Sequence, residues 1–361
     1  MKHYPMLTVN TAAMTRNAER VCAVWAQRGV QVAGVVKFSD CAPEIVRAYR
    51  AGGCAQIAVS RAVHLPEIKE AAPGTKTLLL RPPVRYEMEL AAKYGDLILM
   101  TEAEGLKALS QAGEKTGCKP GVILMLDVGD LREGVDNIPA LVELAQLAES
   151  LPGVHLAGVG TNHACLNGVL PSWDNLSFLV EGAEAVEAAI GRKLEIISGG
   201  SSINMLLLGS GMPARVNHLR VGGFIANPMN MRLGRDFVLE GMEENTVTLT
   251  AEVVDLQEKN SMPKGSSGKN WAGEAIVRED KGRRLRAILA LGSQDVGDAS
   301  GLIPVEPGIE IVGNSSDHTI LDVTDTCRSW HTGDTVTFKL RYSPMLRAFS
   351  GKHVNREYTE E

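Results

Sequence analysis

No stretch of the 361-residue sequence approaches the roughly eighteen uninterrupted apolar residues of a membrane-spanning helix, and the opening MKHYPMLTVN has no apolar leader core. A cytoplasmic location is expected. CxxC pairs are missing too. The six cysteines, Cys22, Cys41, Cys54, Cys118, Cys165 and Cys327, are scattered over the whole length, so neither a zinc site nor a dense disulfide framework is signalled. There is no excess of positive charge: 37 Lys and Arg against 43 Asp and Glu leave a net charge of -6, with no electrostatic reason to bind nucleic acid or an anionic membrane. What is present is ordinary for a globular protein. At 44% hydrophobic and 22% charged residues, the chain can bury a large core and is comfortable as two domains of about 100 to 200 residues each.

Between residues 32 and 223, eight short apolar runs recur: VAGVVK, QIAVS, TLLLR, DLILM, VILMLDV, HLAGVGTN, EIISGG and HLRVGG. Stretches with helical spacing, such as APEIVRAYRAGG and NIPALVELAQLAESL, separate most of them. Eight strand-plus-helix units predict an α/β fold, a parallel (β/α)8 TIM-type barrel over 11–235. After about residue 235 the pattern turns to NTVTLTAEVVDLQ, RLRAILALGS, GIEIVG, HTILDVTD and DTVTFKLRY, strands without long helices between them. A C-terminal, mostly antiparallel β domain over 236–361 is expected, joined by an N-terminal strand within 1–10. NSMPKGSSGKNWAGEA reads as a mobile loop between two of its strands.

Barrel active sites form where strands end. Lys37, Arg81, Asp127, Asn162, Ser198 and Arg220 all fall there. The run ISGGSSINMLLLG offers backbone N–H groups, the hydroxyls of Ser201 and Ser202, and a helix start after Gly200, which suit a phosphate dianion. HLRVGG adds Gly222 and Gly223 from the next strand end. A lysine at the end of the first strand, Lys37, facing such a seat is what a Schiff base with pyridoxal 5'-phosphate requires, because its amine must be fixed and partly desolvated.

The motifs GVVK, DVGDLREG, GVGTNHAC, SGGSS, RVGG and SSDHTILDV, in this order, resemble the alanine racemase family of fold-type III pyridoxal phosphate enzymes, with the ornithine racemase branch as the nearest likeness. The resemblance implies that Lys37 holds the cofactor and serves as acid and base on one face of Cα. Gly200, Ser201, Ser202, Gly222, Gly223 and Tyr342 would hold the phosphate. Arg132 would bond the phenolic oxygen and orient the substrate carboxylate, and Arg220 would face the ring nitrogen. A guanidinium only donates, so it restrains delocalisation into the ring and favours return of the proton to Cα.

Three positions depart from the family pattern: Met125 where a carbamylated lysine is common, Asn162 where a histidine stands near the ring, and Ser293 where a tyrosine from the dimer partner is the second base. A serine hydroxyl is a poor base near neutral pH. Asp295, two residues on, is expected to supply the second face, alone or through Ser293 and a water, with Cys165 as the fallback; Asp295 as a turn-capping carboxylate is the competing reading. His163, Cys165 and His318 read more readily as packed, hydrogen-bonded side chains than as catalytic groups. The resemblance further implies a homodimer sharing its active site. A racemase of ornithine or another basic amino acid is expected, with an alanine, serine or broad-specificity racemase as the alternative. A fold-III lyase would need a metal cluster in the β domain, for which only Asp317 and His318 offer themselves. A non-catalytic cofactor carrier would end after the barrel. Asp130, Glu133 and Asp295 are candidates to receive a distal ammonium.

Overall fold

The computed structural model describes residues 3–266, 268, 269, 273 and 278–360. Two compact units make up the chain, Thr11–Glu243 and Met1–Asn10 with Glu244–Glu361. Strand β1 (Met6–Asn10) belongs to the second unit, and helix α1 (Thr11–Ala26) opens the first. Eight parallel strands then close into a barrel in chain order: β2 (Gln31–Val35), β3 (Gln56–Val59), β4 (Lys76–Leu79), β5 (Leu97–Met100), β6 (Gly121–Met125), β7 (His155–Gly160), β8 (Ile196–Ser201) and β9 (His218–Val221). Helices α2 (Pro43–Ala51), α3 (His64–Ala71), α4 (Met88–Tyr94), α5 (Ala103–Thr116), α6 (Ile138–Ser150) and α7 (Trp173–Ile190) follow β2 to β7 in turn. Only short helices, α8 (Leu207–Ser210), α9 (Gly223–Ala226) and α10 (Met229–Arg235), follow β8 and β9, leaving backbone rather than helix around those strand ends.

The barrel strands read as unbroken apolar runs because both their faces are covered: every residue of β3, β5 and β6 is buried. Alternate side chains point inward, where Ala33, Val35, Ala58, Leu78, Leu97, Leu99, Ile123, Met125 and Ala157 form the central core. Met125 therefore serves packing. Helix starts are set by local chemistry; Glu102 accepts from Gly105 N at 2.6 Å and Glu104 N at 2.8 Å, and Asn137 accepts from Ala140 N at 2.9 Å. At Gly158 a Cβ would come within 2.0 Å of Ile196 O, so glycine lets β7 and β8 approach.

Residues 236–243 group with the barrel rather than with the β domain. The reason is a clasp on α1: Asn17 Nδ2 donates to Glu243 O at 2.9 Å, Glu243 N donates to Asn17 Oδ1 at 2.7 Å, and Arg20 Nε donates to Glu240 O at 3.0 Å. Buried Asn17 thus satisfies backbone that has no strand to join.

In the second unit β10 (Val247–Asn260) is central. It alternates buried and half-buried residues from Val247 to Val253, the period of a strand with one covered face. Beside it and beyond lie β11 (Arg283–Leu289), β12 (Leu302–Pro304), β13 (Glu310–Asn314), β14 (Thr319–Asp322) and β15 (Thr335–Leu340), in the antiparallel order β12-β15-β10-β11-β14-β13. β1 pairs antiparallel with β10, Met6 opposite Thr250, and parallel with the last strand, β16 (Asn355–Thr359), Met6 opposite Asn355. The segment 260–275, expected to be a mobile loop, lies partly outside the described residues. No helix among the described residues is long and apolar enough to cross a membrane.

Candidate active site

β2 stops at Val35, and Val36 N still bonds Ala58 O at 3.0 Å before the chain turns into a short 3-10 helix, Lys37–Ser39. Ser39 Oγ donates back to Val36 O at 2.8 Å and ties the turn. Val36 and Phe38 are buried while Lys37 between them is exposed, with no side-chain partner among the described residues.

Beside it, β9 pairs with β2, placing Arg220 opposite Ala33. Arg220 is only 4% exposed; its Nη1 donates to Ser198 Oγ at 2.6 Å and its Nη2 to Thr161 O at 2.7 Å. Burial brings its pKa down to about 10, against the pull of Glu133, and it stays charged at neutral pH. Behind Ser198 stands His218, whose Nδ1 is 2.8 Å from Ser198 Oγ and whose Nε2 is 3.3 Å from Gln56 Oε1.

The glycine-rich ends of β8 and β9 lie side by side, Ser201 opposite Arg220. Gly200 has φ +126°, and a Cβ there would meet Asn204 Oδ1 at 2.7 Å and His163 Nδ1 at 2.9 Å. Gly222 N donates to Ser202 Oγ at 3.2 Å, and a Cβ on Gly222 would come within 2.6 Å of Val35 O. Gly223 opens α9, in which Ile225 N and Ala226 N bond Gly222 O at 3.0 and 3.1 Å, so the N–H groups of Gly223 and Phe224 are the ones left to the helix start.

The loops after β6 and β7 form the opposite bank. Asp127 Oδ1 accepts from Gly129 N at 2.7 Å and Leu131 N at 3.2 Å. Arg132 pairs with Glu133. With its amide turned so that the oxygen faces donors, Asn162 accepts from Arg132 Nη2 at 3.1 Å and His163 N at 3.2 Å. His163 packs rather than titrates: burial holds its pKa down near 4, and its Nε2 meets Asn175 Oδ1 at 3.2 Å. Exposed Cys165 lies close enough for a charge on it to act on both Arg132 and Arg220. An open cleft of about 510 Å³ on the flank of this bank is lined by Asp127, Asp136 and Asp174 with Leu131 and Phe178.

Asp130 organises the bank and is not free to receive a distal ammonium. Its buried carboxylate takes Cys165 N at 2.9 Å, Leu166 N at 3.0 Å, Asn167 N at 3.1 Å and Val169 N at 3.3 Å. Burial works to raise its pKa, but the four backbone donors outweigh it and hold the group below the ordinary carboxylate value. That stabilisation is complete above the ordinary pKa and is lost as pH falls through the depressed native one. Asp130→Ala is expected to lower the opening free energy of residues 165–169 by about 1–3 kcal/mol, read as faster amide hydrogen exchange there and not in α5. Unchanged protection at Cys165 and Leu166 would refute the clamp.

The remaining predicted residues lie in the β unit. Ser293 opens a four-residue helix, and Asp295 Oδ2 accepts from Gly292 N at 3.0 Å, the capping role set against catalysis above. Asp317 accepts from Gln294 Nε2 at 2.8 Å and from Ser316 Oγ at 2.7 Å, and His318 O accepts from Ser315 N at 2.8 Å, so SSDH is a pinned turn. Tyr342 begins the helix Tyr342–Ser350. Elsewhere Cys41, His64 and Glu67 gather within 4.8 Å. Both nitrogens of His64 face carboxylates, Glu67 at 2.7 Å and Asp40 at 3.5 Å, so the ring is already engaged within its own turn. Sequence reasoning missed His218, although it stands two residues before Arg220 in HLRVGG and must share its inward face.

A family profile described as alanine racemase, N-terminal domain, matches residues 9–226. Over 355 residues, 98% of this chain and 99% of the other, the sequence is 35% identical to an ornithine racemase of Acetoanaerobium sticklandii. Over 360 residues it is 34% identical to a lysine racemase of Thermotoga maritima, covering 98% of each. Among solved structures, alanine racemase from Streptomyces lavendulae superposes with a TM-score of 0.76 at 16% identity, covering 99% of this chain and 98% of that one, a likeness of fold.

Proposed function

We propose, from the premise that this chain belongs to the alanine racemase family, that it is a pyridoxal phosphate-dependent racemase of basic amino acids, ornithine first. One observation carries the reading: an unpartnered lysine amine after β2 and a buried, donor-only guanidinium on the adjoining β9, beside two glycine-rich strand ends.

The donor set fits the cofactor. Two of the five Arg220 donors are spent on Ser198 and Thr161, leaving others for an aromatic nitrogen. The hydroxyls of Ser201 and Ser202 and the N–H groups at Gly223 suit a phosphate, while at Gly200 and Gly222 a Cβ would collide with what surrounds it. Lys37 would hold the cofactor through Nζ, and Tyr342 would add a hydroxyl to the phosphate as the resemblance implies. Pyridoxal phosphate supplies an electron sink that acidifies the Cα–H bond of an amino acid. Around it, Arg132 orients the substrate carboxylate with Asn162 holding the guanidinium, and Lys37 Nζ moves the proton on one face. Cys165 Sγ moves the proton on the other. Asp295 and Ser293 stand second for that role, because Asp295 Oδ2 caps its own turn.

The 34–35% identity to proteins named for ornithine and lysine supports a basic substrate. Exposure of Lys37 in the single chain supports a homodimer that shares its site, and six free thiols accord with the cytoplasm. Chiral chromatography of L- and D-amino acids incubated with the cofactor-loaded protein is expected to show ornithine and lysine equilibrating at least about tenfold faster than alanine or serine, the scale of one charge-assisted contact. Faster alanine turnover would overturn the substrate assignment, and carbon–carbon cleavage or ammonia release would turn the reading to a lyase.

A further inference from the structure

Arg220 polarises everything behind it. A guanidinium has no lone pair to offer, so at 2.6 Å from Arg220 Nη1 the Ser198 oxygen must accept, and its own hydrogen must point elsewhere. Its direction is His218 Nδ1, at 2.8 Å. Nδ1 is therefore the unprotonated nitrogen, the imidazole proton resides on Nε2, and Gln56 Oε1 stands 3.3 Å away to receive it. A ring protonated at Nδ1 would make the serine oxygen accept from both Arg220 and His218 and leave the serine hydrogen without an acceptor. Burial, with the nearby Arg220 charge, agrees by holding the His218 pKa at about 3. His218 and Ser198 are both at most 1% exposed, so water does not substitute for either partner.

We propose that His218 is a positioning residue which, through the Ser198 hydroxyl, fixes the direction in which Arg220 presents its remaining donors to the cofactor. The inference rests on the reading of Arg220 as partner of the ring nitrogen. Without an acceptor at Nδ1, the Ser198 hydroxyl turns, Nη1 loses its held acceptor, and the guanidinium swings about the Thr161 contact alone. An arginine displaced by a fraction of an ångström still binds, but it aligns less well with charge developing in the reaction, so the loss falls on kcat rather than KM.

The test pairs a tautomer measurement with two substitutions. In the 15N-labelled, cofactor-loaded parent protein, long-range proton–nitrogen correlation is expected to show the His218 signal, identified by its disappearance in His218→Asn, with Nε2 protonated and Nδ1 bare. His218→Asn puts an amide oxygen where Nδ1 was, and is expected to keep the cofactor absorbance and stay within about threefold of the parent kcat. His218→Leu offers no acceptor; its absorbance maximum is expected to shift and kcat to drop about 10- to 100-fold at similar KM. Should the leucine variant not fold, Ser198→Ala, smaller and interrupting the same chain, takes its place with the same expectation. A parent His218 protonated on Nδ1, or an acceptor-free variant with parental absorbance and kcat, overturns the proposal. A parent protein that acquires no cofactor absorbance instead overturns the function on which it rests, and the tautomer read without cofactor still shows whether the relay exists.

Discussion

Lys37→Ala, purified and incubated with excess pyridoxal phosphate, is expected to remain colourless after desalting and to racemise ornithine at least about 10³-fold more slowly than the parent, the scale of losing a covalent anchor and an acid–base group together. No other lysine follows a barrel strand beside the β8 and β9 loops, so no neighbour can deputise. The substitution itself is expected to be benign to the fold. Lys37 is exposed and makes no side-chain bond among the described residues, whereas the turn is held by Val36, Phe38 and Ser39. A retained cofactor absorbance in a normally melting Lys37→Ala protein would remove the cofactor assignment, and equal activity would remove the catalytic one.

For the second face of Cα the expected result is one-sided. Cys165→Ala should abolish solvent deuterium incorporation into one enantiomer of ornithine while leaving the other exchangeable through Lys37, with racemisation down about 10²- to 10⁴-fold. The thiol is well placed for this role. Asp130 fixes the Cys165 backbone through its N–H, and the side chain is exposed on the bank that carries Arg132. Asp295→Asn is the comparison: its carboxylate caps Gly292, so the variant is expected to melt slightly earlier but to exchange both enantiomers at the parental rate. One-sided loss in Asp295→Asn, with Cys165→Ala unaffected, would reverse the assignment.

Much of the barrel was legible because its strands are buried on both faces, which writes them as apolar runs, and because the chemistry stands where those runs stop, at Lys37, Arg220 and the Gly-Ser turn of β8. Relationships across the chain were not. Asp130 looked like a free carboxylate, yet its partners are backbone N–H groups of Cys165 to Val169, which carry no side-chain signature at all. The place of 236–243 was hidden for the same reason, since one asparagine on α1 receives it through main-chain atoms. For Lys37, the apolar run reads past the end of the strand: β2 stops at Val35 and Lys37 begins a 3-10 helix, and nothing in GVVKFS distinguishes that from a continuing strand.

The strand β1 has a consequence for how the molecule is made. Its ladder partners are β10 and, in parallel, β16, so strands far apart in the sequence lie in one sheet. During synthesis the barrel residues Thr11–Glu243 are contiguous and can close as soon as they emerge, while β1, made before them, waits for β16 to gain its second neighbour. The delay weighs on rate far more than on equilibrium, because doubling the span of a closing loop costs only about 0.6 kcal/mol. Emergence of β16, rather than closure of the barrel, is the event that gives β1 its second partner.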